Sequence, residues 1–323
     1  MPTFCRHNRF IHNCPICAPT SPGSGSGGTP GAFGRDPAPV VEKAPRRRTG
    51  GGRLHVRQAA QVVDDGFRTP LAPGLRSSAD AQRLAVELAF ATARLAELAA
   101  AAPGLYAEVA TGGDVERSLE LALLIALLCP LEGEPDPWEG IRAAAACAAS
   151  GEALSGVDGL RFGPRGTGEA AAADRALAAY RAWVARQGSP LAAFTGDGSW
   201  TPERRFARAF ERLALPGLPR AGRFDLLVCL GVLGRVSLRA GSLGLGGDDT
   251  TTVAAKRLLG IGDSLLLERR AAGLAEGVDI RLDALDLALH NWGAPEHRAT
   301  LGAGVHADPQ ETDRVATALG LGG

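Results

Sequence analysis

The sequence predicts an all-α fold, a bundle of helices, and three observations support this class. From about Asp64 onward, Leu and Ala recur at the three- and four-residue spacing of buried helix faces. Candidate cap residues and Pro or Gly stops divide this pattern into segments of helical length. Alternation of Val, Ile and Thr, which is typical of half-buried strands, is nearly absent. No sheet is therefore expected.

The helices follow one another along most of the chain. The first, 79–102, begins after Ser78 and stops at Pro103-Gly104. The next, VERSLELALLIALLC, is capped by Asp114 and ended by Pro130, and its nearly uniform apolar surface is typical of a helix in the middle of a bundle. The remaining helices are predicted over 137–149, 169–187, 202–214, 222–233, 251–260, 263–276 and 282–292. Residues 58–293 form the predicted helical domain, and the Gly-rich residues 294–323 are expected to be a flexible tail.

Length and composition limit the class of protein. The chain has 323 residues, enough for one large domain or two small ones. Its longest apolar run, 121–129, is much shorter than the roughly 20 residues of a membrane-spanning helix, and its first 17 residues lack the apolar core of a secretory signal. We expect a cytoplasmic monomer without membrane contact. Three cysteines that lie singly in apolar segments are expected in the core, namely Cys129, Cys147 and Cys229.

The net charge of zero conceals an uneven distribution. Residues 1–57 contain nine Lys and Arg residues against two acids, and the rest of the chain has an equal acidic excess. Residues 18–57 are rich in Pro, Gly and Ser and have few apolar residues that could stabilise an ordered state, so they are predicted to be a disordered basic linker. Their arginines either attract nucleic acid non-specifically or belong to a solvated linker without a partner.

The first 17 residues contain four side chains with the chemistry of zinc ligands. Cys5, His7, Cys14 and Cys17 lie within thirteen residues, and the Cys-x-x-Cys half allows both thiolates to reach one ion. His12 could replace His7 as the nitrogen ligand. We predict a structural zinc knuckle over 1–17, because so short a segment has no core and the metal would supply its folding energy. The alternative is a pair of free thiols in a disordered terminus.

A second signal is a Pro/Gly turn between two predicted helices. Leu215-Pro216-Gly217 joins an Arg-rich helix to the helix that begins near Gly222. Such a turn can leave the first amides of the second helix free to bind a phosphate. Residues 204–239 contain eight Arg and only two acids, in an otherwise acidic part of the chain. The alternative is an ordinary helical corner with a solvated Arg face.

The order of motifs after this turn resembles the helix-hairpin-helix DNA glycosylase superfamily. The motif LPG-x-x-R opens a helix, GGDDTTTVAAKRLLG follows at 246–260, and LDALDLALHNWG at 282–293 closes the series. The resemblance covers roughly residues 110–293 and implies a helical bundle of that type. It assigns the grip on the DNA backbone to the hairpin and the start of its second helix, that is, to Leu215, Pro216, Gly217, Arg220, Gly222 and Arg223.

The same resemblance implies a catalytic aspartate at the start of the next helix. Asp249 falls on this position, and counting back from Arg257 selects Asp248 instead. Thr250 and Thr251, which start the helix, are implied to contact DNA. The partial positive charge of that helix terminus should favour the ionised carboxylate.

Two positions depart from the family pattern. Pro219 replaces the second hairpin glycine and lacks an amide donor. Ala221 stands where some members carry a Schiff-base lysine, which implies hydrolysis without strand cleavage. The sequence after residue 260 contains no cysteine cluster, so no iron-sulfur cluster is expected.

With its CRHN and NCPIC segments included, the whole chain resembles the third clade of the α-glutamyl/putrescinyl-thymine pyrophosphorylases within this superfamily. The resemblance implies a monofunctional DNA base N-glycosylase that flips and excises a modified base from double-stranded DNA, including phage DNA, in antiviral defence. One alternative is a pyrophosphorylase acting on hypermodified thymine nucleotides. Another is a non-catalytic zinc-knuckle adaptor that binds DNA, and a third is a helical regulator that binds no nucleic acid.

Overall fold

A computed structural model describes residues 64–131, 134–156, 162–294 and 307–322. These ranges lie in the unit 58–323 of the chain, and the other unit, 1–57, lies outside the described residues. All regular secondary structure within them is helical. The all-α class is therefore confirmed for the part of the chain that the structure describes.

In chain order, the helices of these ranges are α1 (Ser78–Ala100), α2 (Leu105–Thr111), α3 (Val115–Leu128), α4 (Glu139–Ser150), α5 (Ala170–Ala185), α6 (Pro190–Thr195), α7 (Pro202–Arg212), α8 (Arg220–Val232), α9 (Thr250–Leu259), α10 (Ser264–Gly277), α11 (Leu282–Gly293) and α12 (Pro309–Ala318). A 3-10 turn, Leu154–Gly156, lies between α4 and α5.

The helix starts follow the expected capping chemistry. Asp114 accepts a hydrogen bond from the Arg117 amide at 3.1 Å and starts α3. Asp263 accepts one from the Leu266 amide at 2.9 Å and starts α10. Both bonds satisfy an amide that has no partner inside its own helix. The sequence predictions for these two helix starts are confirmed.

The structure differs from the sequence prediction in three places. The short helices α2 and α6 were not predicted, and α8 begins at Arg220 rather than near Gly222. The prediction of a flexible tail over 294–323 is wrong for residues 309–318, which form α12. Asp308 caps this helix, and Val315 and Leu319 are fully buried, so apolar burial holds the helix in place.

The helices pack in two groups that meet where α1 contacts α8. Helix α3 packs against α2, α4, α5 and α8, and nearly all of its residues from Ser118 onward are buried. This confirms its predicted central position. Helix α1 packs against α11 and α12, and α9 packs against α10 and α11. Since α1 also contacts α8, the two groups share one continuous apolar core.

The cysteines in the described residues lie in or beside this core. Cys129 and Cys229 are buried, as predicted, and Cys147 is half-buried and packs against the core. Burial raises the pKa of the Cys229 thiol well above its ordinary value. None of the helices in the described ranges is long and apolar enough to span a membrane.

Candidate functional site

Asp249 is the N-cap residue of α9. Its Oδ1 accepts a hydrogen bond from the amide of Thr252 at 3.3 Å, and its Oδ2 accepts one from the Thr252 hydroxyl at 2.6 Å. These bonds hold the carboxylate at the positive end of the helix. The side chain remains 26% exposed, so solvent or a ligand can reach it. The neighbouring Asp248 is exposed and makes no hydrogen bond or ion pair within the described residues.

The Gly-rich loop before Asp249 is fixed from two sides. Glu268 of α10 accepts hydrogen bonds from the amides of Leu243 and Leu245, at 2.9 and 2.5 Å. Lys256 of α9 donates to the carbonyl oxygen of Gly247 at 3.0 Å. The loop therefore delivers Asp249 to a defined position. The only lysine outside the first 57 residues is occupied in holding this backbone.

Arg220, the first residue of α8, lies next to Asp249. Its Nη1 atom is 3.8 Å from Asp249 Oδ1. Its Nη2 atom donates to Asp286 of α11 and, at 2.8 Å, to the carbonyl oxygen of Leu243. The side chain is 8% exposed. One guanidinium thus contacts the start of α9, the loop before it and the interior of α11.

Behind Arg220, two buried carboxylates and a second arginine form an ion network. Arg165 Nε and Nη2 donate to both oxygens of Asp225 at 2.7 and 2.6 Å, which is the paired geometry that guanidinium groups favour. Arg165 Nη2 also donates to Asp286 at 2.7 Å. We call Arg165, Arg220, Asp225 and Asp286 the buried ion network. It joins the loop before α5 to α8 and α11, and its formal charges balance.

Burial and charge act in opposite directions within this network. Burial alone would lower the pKa of Arg165, but the adjacent carboxylates of Asp225 and Asp286 raise it above its ordinary value. Burial raises the pKa of Asp225, and the Arg165 guanidinium opposes part of that effect. A buried pair of this kind is stable only while both partners are present.

His290 of α11 lies near the buried ion network, and the charges of the network affect its pKa. Burial lowers the pKa of His290 to about 3, and the positive charges of Arg165 and Arg220 contribute in the same direction. The imidazole is therefore neutral at pH 7. Its Nε2 atom is buried and has no hydrogen-bond partner within the described residues.

The turn that precedes α8 packs tightly against its neighbours. Gly217 has φ +80°, and a methyl group there would overlap the carbonyl oxygen of Ala172 in α5. Gly222 is buried against α3, where its nearest backbone neighbour is the carbonyl oxygen of Ala126. Leu215 is half-buried, whereas Pro216 is exposed. The glycines of the predicted DNA-binding turn thus allow close contacts between helices.

Arg223 lies one turn after Arg220 on α8. Its guanidinium is stacked on the Phe210 ring, 4.5 Å from the centroid, and donates to the Phe210 carbonyl oxygen at 3.2 Å. Burial and the charge of Arg220 lower its pKa, whereas Asp249 acts in the opposite direction. Arg223 is therefore part of the same electrostatic environment as Asp249, and it is half-buried rather than enclosed.

Most of the residues predicted from the sequence thus lie around one place, the start of α8 and α9. Asp249, Arg220 and Arg223 share one environment there, and Thr250 is exposed at the first position of α9. Arg220, Gly222 and Thr251 are buried, so we propose no direct contact of theirs with DNA.

Sequence reasoning missed four residues of this region, namely Arg165, Asp225, Asp286 and His290. The partners in the network are separated by 60 to 121 residues, so no local spacing could connect them. One signal was available. Asp225 and Asp286 are each the single charge in an apolar stretch, FDLLVCL and LDLAL, and a buried charge at such a position requires a partner.

The predicted zinc ligands Cys5, His7, Cys14 and Cys17 lie outside the described residues. Within the described ranges, no group of three or more His, Cys, Asp or Glu side chains could hold a metal ion. Comparisons of the chain with protein-family models, with curated proteins and with solved structures found no match. A function for this chain therefore has to be inferred from its own residues and their geometry.

Proposed function

We propose that this protein is a monofunctional DNA base N-glycosylase that excises a modified or hypermodified base, as a defence against phages, with Asp249 as its catalytic carboxylate. The observation that carries the proposal is the 3.8 Å approach of Asp249 to Arg220. This approach brings the starts of α8 and α9 together, although the LPG-x-x-R arginine and the aspartate are 29 positions apart in the sequence. Adjacency of these two motifs is what the sequence resemblance requires.

The environment of Asp249 suits a carboxylate that stabilises positive charge. The carboxylate is partly exposed, yet the Thr252 amide and hydroxyl fix its orientation. A preorganised carboxylate of this kind needs little rearrangement as charge develops on a substrate. Asp248 has no comparable support, since nothing in the described residues fixes its side chain. We therefore assign the catalytic role to Asp249.

The proposed reaction proceeds on a nucleotide turned out of the duplex, because the bond to be broken is inaccessible inside the stack. The bond between C1′ and the base nitrogen breaks, its electron pair leaves with the base, and positive charge builds on the deoxyribose. Asp249 stabilises this charge and accepts a proton from the water that adds to C1′. The departing base takes up a proton, and Asp249 releases the proton that it accepted, so the products are the free base and an abasic site.

Two features of the chain favour water over an amine as the nucleophile. Ala221 stands at the position implied for a Schiff-base lysine. Lys256 is held against the Gly247 carbonyl oxygen on the loop that precedes Asp249. An enzyme that uses water leaves the DNA strand intact until alkali cleaves the abasic site.

The proposal is tested by incubating the purified full-length chain with genomic DNA from phages that carry different modified bases. Alkaline treatment then reveals abasic sites as strand breaks. We expect breaks in at least one modified DNA and none in unmodified DNA. Asp249→Asn should lower the rate by about 100- to 1,000-fold, because it removes one preorganised electrostatic contact with the transition state.

Asp248→Asn is the matched control, since it makes the same chemical change one residue earlier at an exposed side chain. We expect it to retain most of the activity. Equal activity of Asp249→Asn and the wild type would refute the assignment of Asp249. Intact DNA from every phage, with a folded protein that still binds DNA, would refute the glycosylase proposal and favour a non-catalytic DNA-binding adaptor.

A further inference from the structure

Two exposed arginines border the turn between α7 and α8. Arg212 is the last residue of α7 and directly precedes the turn. Arg175 lies on α5, and a Cβ atom at Gly217 would stand 3.2 Å from the Cβ of Arg175. Neither guanidinium makes a hydrogen bond, an ion pair or a ring contact within the described residues. We call Arg175 and Arg212 the arginine rim.

Nearby acids are occupied elsewhere and do not neutralise the rim. The carboxylate of Asp174 accepts a hydrogen bond from the Leu154 amide at 2.6 Å. Glu211 pairs with Arg208 at 3.0 Å, and both side chains of that pair are more than half exposed.

The turn between α7 and α8 connects the arginine rim to Arg220, which approaches Asp249. Gly217 packs against the first turn of α5, and three residues later Arg220 approaches Asp249. The turn is therefore flanked by the rim on the α5 and α7 side and by Asp249 on the α9 side. Pro216 and Pro219, which lie between, are exposed.

We propose that Arg175 and Arg212 bind backbone phosphates of duplex DNA beside the Asp249 site. A free guanidinium presents paired donors that match two phosphate oxygens. In contrast, Arg220 is buried, and its Nη2 atom donates to Asp286 and to the Leu243 carbonyl oxygen. The choice of DNA as the partner rests on the proposed function. The location of the phosphate contacts rests on the exposed, unpaired guanidiniums.

The salt dependence of DNA binding tests this inference. The probe is an unmodified, fluorescently labelled DNA duplex, and anisotropy gives the binding constant of the full-length chain over a series of NaCl concentrations. The slope of log K against log[salt] is negative, and each phosphate contact that is lost reduces its magnitude by about 1. We expect the double variant Arg175→Gln/Arg212→Gln to bind more weakly, with a slope smaller than that of the wild type by about 2.

The matched control is Arg117→Gln/Arg186→Gln, which removes the same charge from two exposed, unpaired arginines near the other end of α5. Arg186 follows α5, about 16 Å along the helix axis from Arg175 at 1.5 Å per residue. Arg117 lies in the first turn of α3. Three residues later on α3, Glu120 accepts hydrogen bonds from Arg181 near the end of α5. The basic residues 1–57 are present in the wild type and in both double variants and contribute equally to DNA binding. The slope of the control variant should therefore equal that of the wild type.

Equal slopes in the wild type and the rim variant, or equal losses in both double variants, would overturn the inference. Tighter binding to an RNA duplex, with the same dependence on the rim, would overturn the choice of DNA.

The excision assay separates this inference from the proposed function. A rim-dependent slope without excision of any base leaves the phosphate contacts in place and refutes only the glycosylase activity. If the rim variant excises the base and binds DNA with unchanged affinity, only the proposed phosphate contacts of the rim are refuted.

Discussion

Replacement of Asp286 by asparagine should lower the free energy of unfolding by about 3–5 kcal/mol, the cost of removing one partner from a buried ion pair. The Asp286 side chain is 1% exposed and accepts hydrogen bonds from both Arg165 and Arg220. Asparagine preserves the size of the side chain but not its charge. The buried ion network would then contain two guanidiniums and one carboxylate, with one uncompensated charge in the interior. In a fold of this size the Tm should fall by on the order of 10 °C.

Urea unfolding at pH 7, followed by circular dichroism, measures this change. Asp283→Asn is the control, because Asp283 is also buried on α11 and accepts a hydrogen bond from the Ala240 amide at 3.1 Å. Its charged partner, Arg281, is 56% exposed and can return to water. We expect this variant to lose only about 1 kcal/mol. A loss for Asp286→Asn no larger than that of the control would refute the reasoning. The double variant Asp286→Asn/Arg220→Met should recover part of the lost free energy of unfolding, and a failure to do so would also refute it.

Two further predictions concern His290 and Gly217. Because burial lowers the pKa of His290 to about 3 from 6.5, the unfolded chain binds a proton that the folded state does not, and stability falls by about 1.4 kcal/mol per pH unit as the pH drops from 6.5 towards 3. His290→Gln should remove about 2 kcal/mol of the loss that urea unfolding measures between pH 7 and pH 5, and an unchanged loss would contradict the burial of a neutral imidazole. Gly217→Ala should cost about 2 kcal/mol more than Gly234→Ala in the same assay, because both positions have positive φ but only at Gly217 does the methyl group overlap backbone. Equal costs would show that the close contact of the turn with α5 does not contribute.

Most helices could be predicted because local chemistry specifies them. Asp114, Asp263 and the Pro or Gly stops determine where helices begin and end, and the apolar surface of α3 indicates its central position. Helices α2 and α6, with seven and six residues, contain too few turns to give a periodic pattern. Helix α12 was missed because the preceding Gly-rich segment suggested a flexible tail, although Asp308 with Pro309 is a typical helix start.

The candidate site was only partly predictable. A motif resemblance selected Asp249 and Arg220, and in the structure these residues are adjacent. Local sequence could not choose between Asp248 and Asp249, whereas the structure distinguishes them by the hydrogen bonds of Asp249 to Thr252. The expected direction of the Arg220 side chain, outward to a phosphate, depended on whether an interior acid was available. That acid is Asp286, 66 residues further along the chain, and only the tertiary structure, in which Arg220 donates to it, reveals it.

The geometry of Arg220 explains why an arginine at this position can serve both the interior and the surface. Its Nη2 atom is committed to Asp286 and the Leu243 carbonyl oxygen, so its Nη1 atom is directed towards Asp249. Asp286 cannot move to release it, because Arg165 holds the same carboxylate. A planar guanidinium can make these contacts at once, whereas a lysine ammonium is a single point of charge on a flexible stem. The buried ion network therefore fixes the orientation of Arg220, and through it the electrostatic environment of Asp249. Because Nη2 of Arg220 is committed in this way, we assign the proposed contact with a polyanionic backbone to the free guanidiniums beside the turn.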